Sequence, residues 1–273
     1  MRKLLFSIFV PFVSPATAQS DDSLIYLVKY DFKWQKDSTN PASVFTDIMD
    51  VEIRNNTATY YSYFKQIGVK NGEEDMANNK PLEYAMQNGD RYFANHESEI
   101  IINYYPQKKL KVMDRISVNA YYYWDTLTEP DWEIRGDTAT ILNQLCQKAT
   151  THFKGRNYSA WFTNTIPYSL GPWQFTGLPG LILRVNDDKS QFVFECTQLA
   201  YKPATKPVFK EYPNDIKISK YKLRELKRLK AQDFFAFMKA DSPNLTVTAT
   251  NSSGEIVPVK SIKKPYNPID MSK

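Results

Sequence analysis

The segment Trp161-Phe162-Thr163-Asn164-Thr165-Ile166-Pro167-Tyr168-Ser169-Leu170-Gly171-Pro172-Trp173-Gln174-Phe175-Thr176-Gly177-Leu178-Pro179-Gly180-Leu181-Ile182 sets the architecture that the rest of the chain must fit. It holds three of the nine glycines, three prolines and two tryptophans, so its backbone shape is fixed while large rings are carried on it. That describes a built loop, not a linker. Gly177 and Gly180 bracket Leu178-Pro179 and allow positive φ at both ends, and Pro179 fixes one φ and removes a donor. Gly171-Pro172 does the same earlier. Trp173 and Phe175 alternate with Gln174 and Thr176, so in an extended segment both rings point one way. They either plug the open end of a β core or line a ligand groove.

Outward from this loop the chain reads as strands. Gln144 to Phe153 and Asn157 to Thr165 form a hairpin about Lys154-Gly155-Arg156, and Leu181 to Asn186 and Gln191 to Gln198 form a second. The loop therefore joins two hairpins. Nearer the N-terminus, Leu24, Tyr26, Val28, Tyr30 and Phe32 alternate along one clean strand. Phe45 to Arg54 and Thr57 to Lys65 make a hairpin at Asn55-Asn56. Asn71 to Asp90 reads as a polar loop with one helical turn from Pro81 to Gln87. Glu97 to Tyr105, Lys109 to Val118 and the aromatic run Tyr121 to Trp124 are strand-like, the last read as core in preference to a stacking platform. A short strand begins at Trp132, and Thr138 to Leu142 connects it to the next.

After Ser219, a reasonable N-cap, Leu223, Leu226, Leu229, Phe234 and Phe237 recur at helical spacing and predict one helix of about 20 residues. Lys217 to Lys230 carries seven Lys or Arg against one Glu. This is a solvated helix face or a weak contact for an anionic membrane surface. Leu245 to Ala249 and Glu255 to Lys260 are short closing strands, and the tail through Tyr266-Asn267-Pro268-Ile269 is extended.

The 273 residues suffice for one large domain, expected over 19–273, and 42% hydrophobic with 24% charged residues argues against wholesale disorder. Aromatics at 14% favour strands. Residues 1–18 read as a signal peptide: Arg2 and Lys3, an apolar Leu4 to Val13, and Ala16-Thr17-Ala18 before Gln19. No later run is long and apolar enough to span a bilayer, so no transmembrane segment is expected. Removing Arg2 and Lys3 takes the formal charge from +5 to +3, too small a surplus to imply nucleic acid. Export permits a disulfide, and the candidate pair is Cys146 and Cys196. A bridge closing roughly 50 residues would contribute about 4 kcal/mol. The alternative is two separate thiols, since Cys196 shares the apolar face of Phe192 and Phe194 while Cys146 lines up with Lys148, Thr150 and His152.

Chemistry-bearing motifs are few. His96 and His152 are the two histidines and have no zinc spacing, and there is no Gly-x-Ser-x-Gly elbow, phosphate loop or Cys-x-x-Cys. Asn186-Asp187-Asp188 lacks the alternating ligands of a calcium loop. No cofactor, no metal and no catalytic residue is assigned.

Around the central loop the chain closely resembles the GLPGLI family of exported proteins, whose naming motif stands here as Gly177-Leu178-Pro179-Gly180-Leu181-Ile182. The likeness extends through Cys146-Gln147-Lys148-Ala149-Thr150, Gly155-Arg156, Ala160-Trp161-Phe162-Thr163, Ile166-Pro167, Gly171-Pro172 and Tyr266-Asn267-Pro268-Ile269. The resemblance implies an envelope protein of Gram-negative cells and supplies no activity. The family's usual cysteine matches Cys146; Cys196 lies outside the motif.

These readings together predict a mainly β domain, a curved antiparallel sheet or open half-barrel with one long C-terminal helix laid against it. They also predict an exported, non-enzymatic factor, periplasmic in preference to cell-surface or secreted, that binds an envelope protein or a small apolar ligand. The binding loop would comprise Trp161, Trp173, Phe175, Gly177, Leu178, Pro179 and Gly180. The alternatives are a hydrolase built on His96 or His152 with carboxylates, and a structural protein in which the loop is a folding staple.

Overall fold

The computed structural model describes residues 24–55, 57–93, 100–116, 119–203, 213–241, 249–250, 253–257 and 265–271. Its first half is a meander of β1 (Leu24–Gln35), β2 (Val44–Arg54), β3 (Thr57–Ser62), β4 (Ile101–Tyr105), β5 (Lys109–Ile116) and β6 (Asn119–Thr126). Between β3 and β4 lie the helices α1 (Tyr63–Ala77), α2 (Leu82–Gln87) and α3 (Asp90–Phe93). A second meander follows: β7 (Glu133–Ile141), β8 (Gln144–Phe153), β9 (Arg156–Thr163), β10 (Leu181–Asp187) and β11 (Phe192–Pro203). Then come β12 (Ile216–Lys217), α4 (Lys220–Gln232), α5 (Phe234–Asp241), β13 (Ala249–Thr250) and β14 (Ile256–Val257).

The first twelve strands share one open sheet, ordered β12-β6-β5-β4-β3-β2-β1-β11-β10-β9-β8-β7. The two meanders are joined where β1 pairs antiparallel with β11, from Leu24 opposite Pro203 to Trp34 opposite Phe192. The first strand of the chain therefore lies mid-sheet. Its alternation works as read: Tyr26, Val28, Tyr30 and Phe32 are buried together with Met49, Val51 and Ile53 of β2 and Phe192, Phe194 and Cys196 of β11. Leu223 and Leu226 of α4 and Phe237 of α5 join the same cluster. Fully burying each large ring contributes on the order of 2 kcal/mol. The opposite face carries charged pairs beside the buried apolar residues Ile25 and Leu27. There Lys29 pairs across the ladder with Asp50 (2.5 Å), and Glu52 accepts from Lys202 (2.7 Å) and the Tyr61 hydroxyl (2.5 Å).

Several expectations are corrected. The single long C-terminal helix is two short ones: Asp233, with φ −147° and ψ 86°, leaves helical geometry, and its carboxylate accepts from the Ala236 N–H (2.9 Å), capping α5. The expected strand through Lys65 stops at Ser62, whose hydroxyl accepts the Lys65 N–H (3.3 Å) and starts α1. Much of the expected polar loop 71–90 is accordingly helical. Strand β7 runs through the supposed connection 138–142 as far as Ile141. Strands β13 and β14 pair only with each other among the described residues. The cysteines are free thiols. Cys146 on β8 and Cys196 on β11 are separated by β9 and β10, three spacings of about 4.8 Å, beyond the roughly 7 Å Cα limit of a bridge. Burial pushes the Cys146 thiol pKa up and that of Cys196 up to about 12.

The central loop is not extended. Trp173 has φ +51°, and the turn Pro172–Phe175 folds its ring onto Phe175, with centroids 5.3 Å apart and nearly perpendicular. Phe175 is fully buried among Trp132, Phe153, Tyr158, Trp173 and Phe194, with centroids 4.7 to 6.3 Å away. The loop is a plug: the Leu181 and Ile182 amides donate to the Ile166 and Leu170 carbonyls, and Trp132 Nε1 donates to the Thr176 carbonyl (2.8 Å). Gly180, at φ +150°, leaves no room for a side chain, because a Cβ there would sit 2.0 Å from the Thr163 carbonyl oxygen. At Gly177, at φ +91°, the nearest atom to such a Cβ is the Glu129 Cβ at 3.3 Å. Gly180→Ala should therefore cost about 3 kcal/mol and Gly177→Ala about 1 kcal/mol in urea denaturation. Equal costs, or the reverse order, would contradict this account of the plug.

Candidate functional site

Arg156, at the start of β9 and 7% exposed, is the centre of a buried polar cluster. Its Nη1 donates to Asp187 Oδ2 and Gln191 Oε1 (both 3.2 Å). Its Nη2 donates to the Pro268 carbonyl (2.8 Å) and to Asn267 Oδ1, and its plane stacks 4.5 Å from the Phe192 ring centre. Asp187 is itself buried, and its other oxygen accepts the Phe192 N–H (2.9 Å). Asn267 donates onward to the Gln35 carbonyl (2.7 Å), and its own N–H goes to the Lys36 carbonyl (3.1 Å). The Met271 N–H reaches the Lys154 carbonyl (2.9 Å). Residues 265–271 are thus strapped across the ends of β1 and the β8–β9 turn.

The strap closes a cavity of about 750 Å³ against the inner face of the sheet and α4. Its floor is an aromatic row: Phe194 stacks on Phe32 (4.2 Å, 4°), Phe32 on Trp34 (4.8 Å, 11°), and Trp34 meets Phe45 (6.0 Å). Tyr266, Pro268 and Ile269 of the strap and Trp173 of the plug form further walls. A smaller cavity of about 360 Å³ adjoins it and shares Ile100, Asp114, Trp173, Lys227 and Tyr266. Trp173 stands in both walls. Holding a bulky residue in left-handed geometry costs about 1–2 kcal/mol, offset here by packing on Phe153 and Phe175.

Behind Trp173, the Lys154 ammonium donates to Gln174 Oε1 and lies 3.7 Å from Asp270, above the Phe153 and Trp173 rings. Burial pushes its pKa down to about 8.

Of the expected loop residues, Trp173 alone lines these cavities. Phe175 and Leu178 are core, Gly180 is buried in the plug, Gly177 and Pro179 are exposed, and Trp161 is half-buried beside Lys148 on the outer side of β9. His152 Nδ1 meets Asn157 Oδ1 (2.8 Å), whose amide donates to Asp188 (3.1 Å), in an open depression also lined by Trp132 and Arg135. No hydroxyl or thiol nucleophile is hydrogen-bonded to His152 among the described residues, and His96 lies outside them. No group of three metal-ligating side chains occurs among the described residues. No helix there is long and apolar enough to cross a membrane. The basic stretch is largely paired within the molecule: Lys220 with Asp125, Lys222 with Glu225, Lys227 with Asp114. Arg156, Trp34 and Phe45 were not singled out by spacing. The signal available was that Gly155-Arg156 and Tyr266-Asn267-Pro268-Ile269 occur together among the motifs of the resemblance.

Comparison with known proteins adds three findings. A family model described as a protein of unknown function, Porph_ging, matches residues 151–184, the segment holding Lys154, Arg156 and the plug. Two crystal forms of PNGF-II are similar in structure, each with TM-score 0.50, at 12% and 13% identity, covering 84% of this chain and 35% of theirs. At that identity the likeness is one of fold, and the chain spans about a third of their length. No curated protein matches.

The position of Lys154 gives a pH signature. Between about pH 8 and 10.5 the unfolded chain binds a proton at this site that the folded chain lacks, so the lysine's contribution to stability rises with pH across that window. The unfolding free energy of the protein relative to Lys154→Met should climb by on the order of 3 kcal/mol between pH 7 and 10 in urea titrations. A pH-independent difference would show that the amine is not desolvated.

Proposed function

We propose that this is an exported envelope protein of the GLPGLI type that binds an apolar ligand without chemically altering it. In this reading the open sheet is a half-barrel, the strap and α4 form its cover, and the cavity is the ligand site. The observation that carries the reading is the aromatic row Phe194-Phe32-Trp34-Phe45 lining about 750 Å³, a volume within the range of small-molecule sites. The strained Trp173 in the wall supports it, since strain is retained where the surrounding structure holds a functional geometry. The plug itself serves as a staple for the sheet end, which accommodates the structural reading of the loop without competing for the cavity. Residues 1–18, read as a signal peptide, support export, and the periplasm is the location proposed.

Native mass spectrometry of the purified protein, with and without denaturant, tests this. The expected result is an added mass lost on denaturation or, for bare protein, uptake of an apolar fluorophore that Trp173→Leu weakens at least tenfold. Bare protein that takes up no apolar probe would refute the proposal.

A further inference from the structure

The lining of the larger cavity is not uniformly apolar, and its charges are unequal. Three cations, Lys36, Lys227 and Lys230, face two anions, Asp37 and Asp114, while Arg115 alternates with Met113 onto the other face of β5. Both anions are engaged: the Asp37 carboxylate accepts from the Thr39 N–H (2.8 Å) and hydroxyl (2.6 Å), and Asp114 is paired with Lys227 (2.5 Å). Lys36 lies over the outer end of the aromatic row, 3.8 Å from the Phe45 ring centre. Lys230 is exposed and makes no ion pair among the described residues. The row itself passes from buried Phe194 and Phe32 to half-buried Trp34 and Phe45, so the apolar trough deepens away from the cationic rim.

Building on the binding reading above, we infer that the ligand is an anionic amphiphile with a single hydrocarbon chain. The chain lies along the row Phe45-Trp34-Phe32-Phe194, and the acidic head meets the rim at Lys230 and Lys36. A volume near 750 Å³ equals that of about 25 waters, and a methylene is about as large as a water, so one chain of about sixteen carbons fits with room for its head. Charge favours an anion, because a cationic head would meet the ammonium groups of Lys36 and Lys230, which attract a carboxylate or phosphate head.

Equilibrium binding of dodecanoate, dodecan-1-ol and dodecylammonium, each below its aggregation concentration, separates this inference from the one it rests on. Dodecanoate should bind tightest, tetradecanoate should bind roughly tenfold tighter again, and Lys36→Glu with Lys230→Glu should weaken the carboxylates at least tenfold at low salt while leaving the alcohol unchanged. The effect of the two reversals should shrink as salt is raised. If the alcohol or the ammonium binds as tightly as dodecanoate, the anionic head is wrong and the apolar site stands. Preference for dodecanoate that survives both reversals removes the rim assignment, and affinity independent of chain length removes the trough. If none of the three binds, the apolar-ligand reading falls as well.

Discussion

A carboxylate with no solvent exposure must be matched where it sits, and among the described residues Arg156 is the ionised group hydrogen-bonded to Asp187. Burying such a pair gains little net free energy, but removing one partner typically costs 3–5 kcal/mol. The geometry of the pair is therefore enforced. Because a guanidinium offers donors in a rigid fork, the edge not turned to Asp187 and Gln191 is aimed at Asn267 and Pro268. One buried ion pair thus fixes where a segment about 110 residues later in the chain must lie. Without that strap the inner face of the sheet would have no wall at Tyr266, Pro268 and Ile269, and the aromatic row would line an open groove.

The plug acts at the same end of the sheet. Gly180 passes so close to the Thr163 carbonyl that only a residue without a side chain fits, and this close pass lets β10 start directly beside β9. The chain must then turn Phe175 into the ring cluster, and the left-handed Trp173 is the local consequence. Lys154 and Gln174 link the plug to the β8–β9 turn, and the same turn receives the Met271 amide of the strap. Plug, turn and strap are therefore one mechanical unit around the cavity wall.

Strand β1 was legible because its alternation survives: Tyr26, Val28, Tyr30 and Phe32 point inward as their spacing requires. Helix α1 was not, because Gly68 and Gly72 interrupt it and it has no apolar stripe. Its supports are tertiary: the Ser62 cap, and Asp75 accepting from Arg91 (2.8 Å) and Tyr92 (2.8 Å). Gly68 is a contact point, since a Cβ there would sit 2.1 Å from the Tyr92 carbonyl oxygen. The break at Asp233 was hidden because Leu229, Phe234 and Phe237 keep an apolar rhythm across it. For the site, Trp173 was legible from the loop. The row Phe194-Phe32-Trp34-Phe45 was not, because period two assigns each ring to a face but does not reveal that β1 and β11 become neighbours. The two extended-loop rings failed for a related reason, as a turn at Pro172 overrides the alternation of its sequence.

The central claim is that Arg156 holds the strap. Amide hydrogen exchange of Arg156→Lys against the parent protein measures this directly, because a lysine keeps the charge beside Asp187 and loses the fork. The Asn267 and Met271 amides, bonded to the Lys36 and Lys154 carbonyls, should lose at least tenfold protection while the β1–β11 ladder retains its own. Unchanged protection of residues 265–271 in the variant would contradict the account.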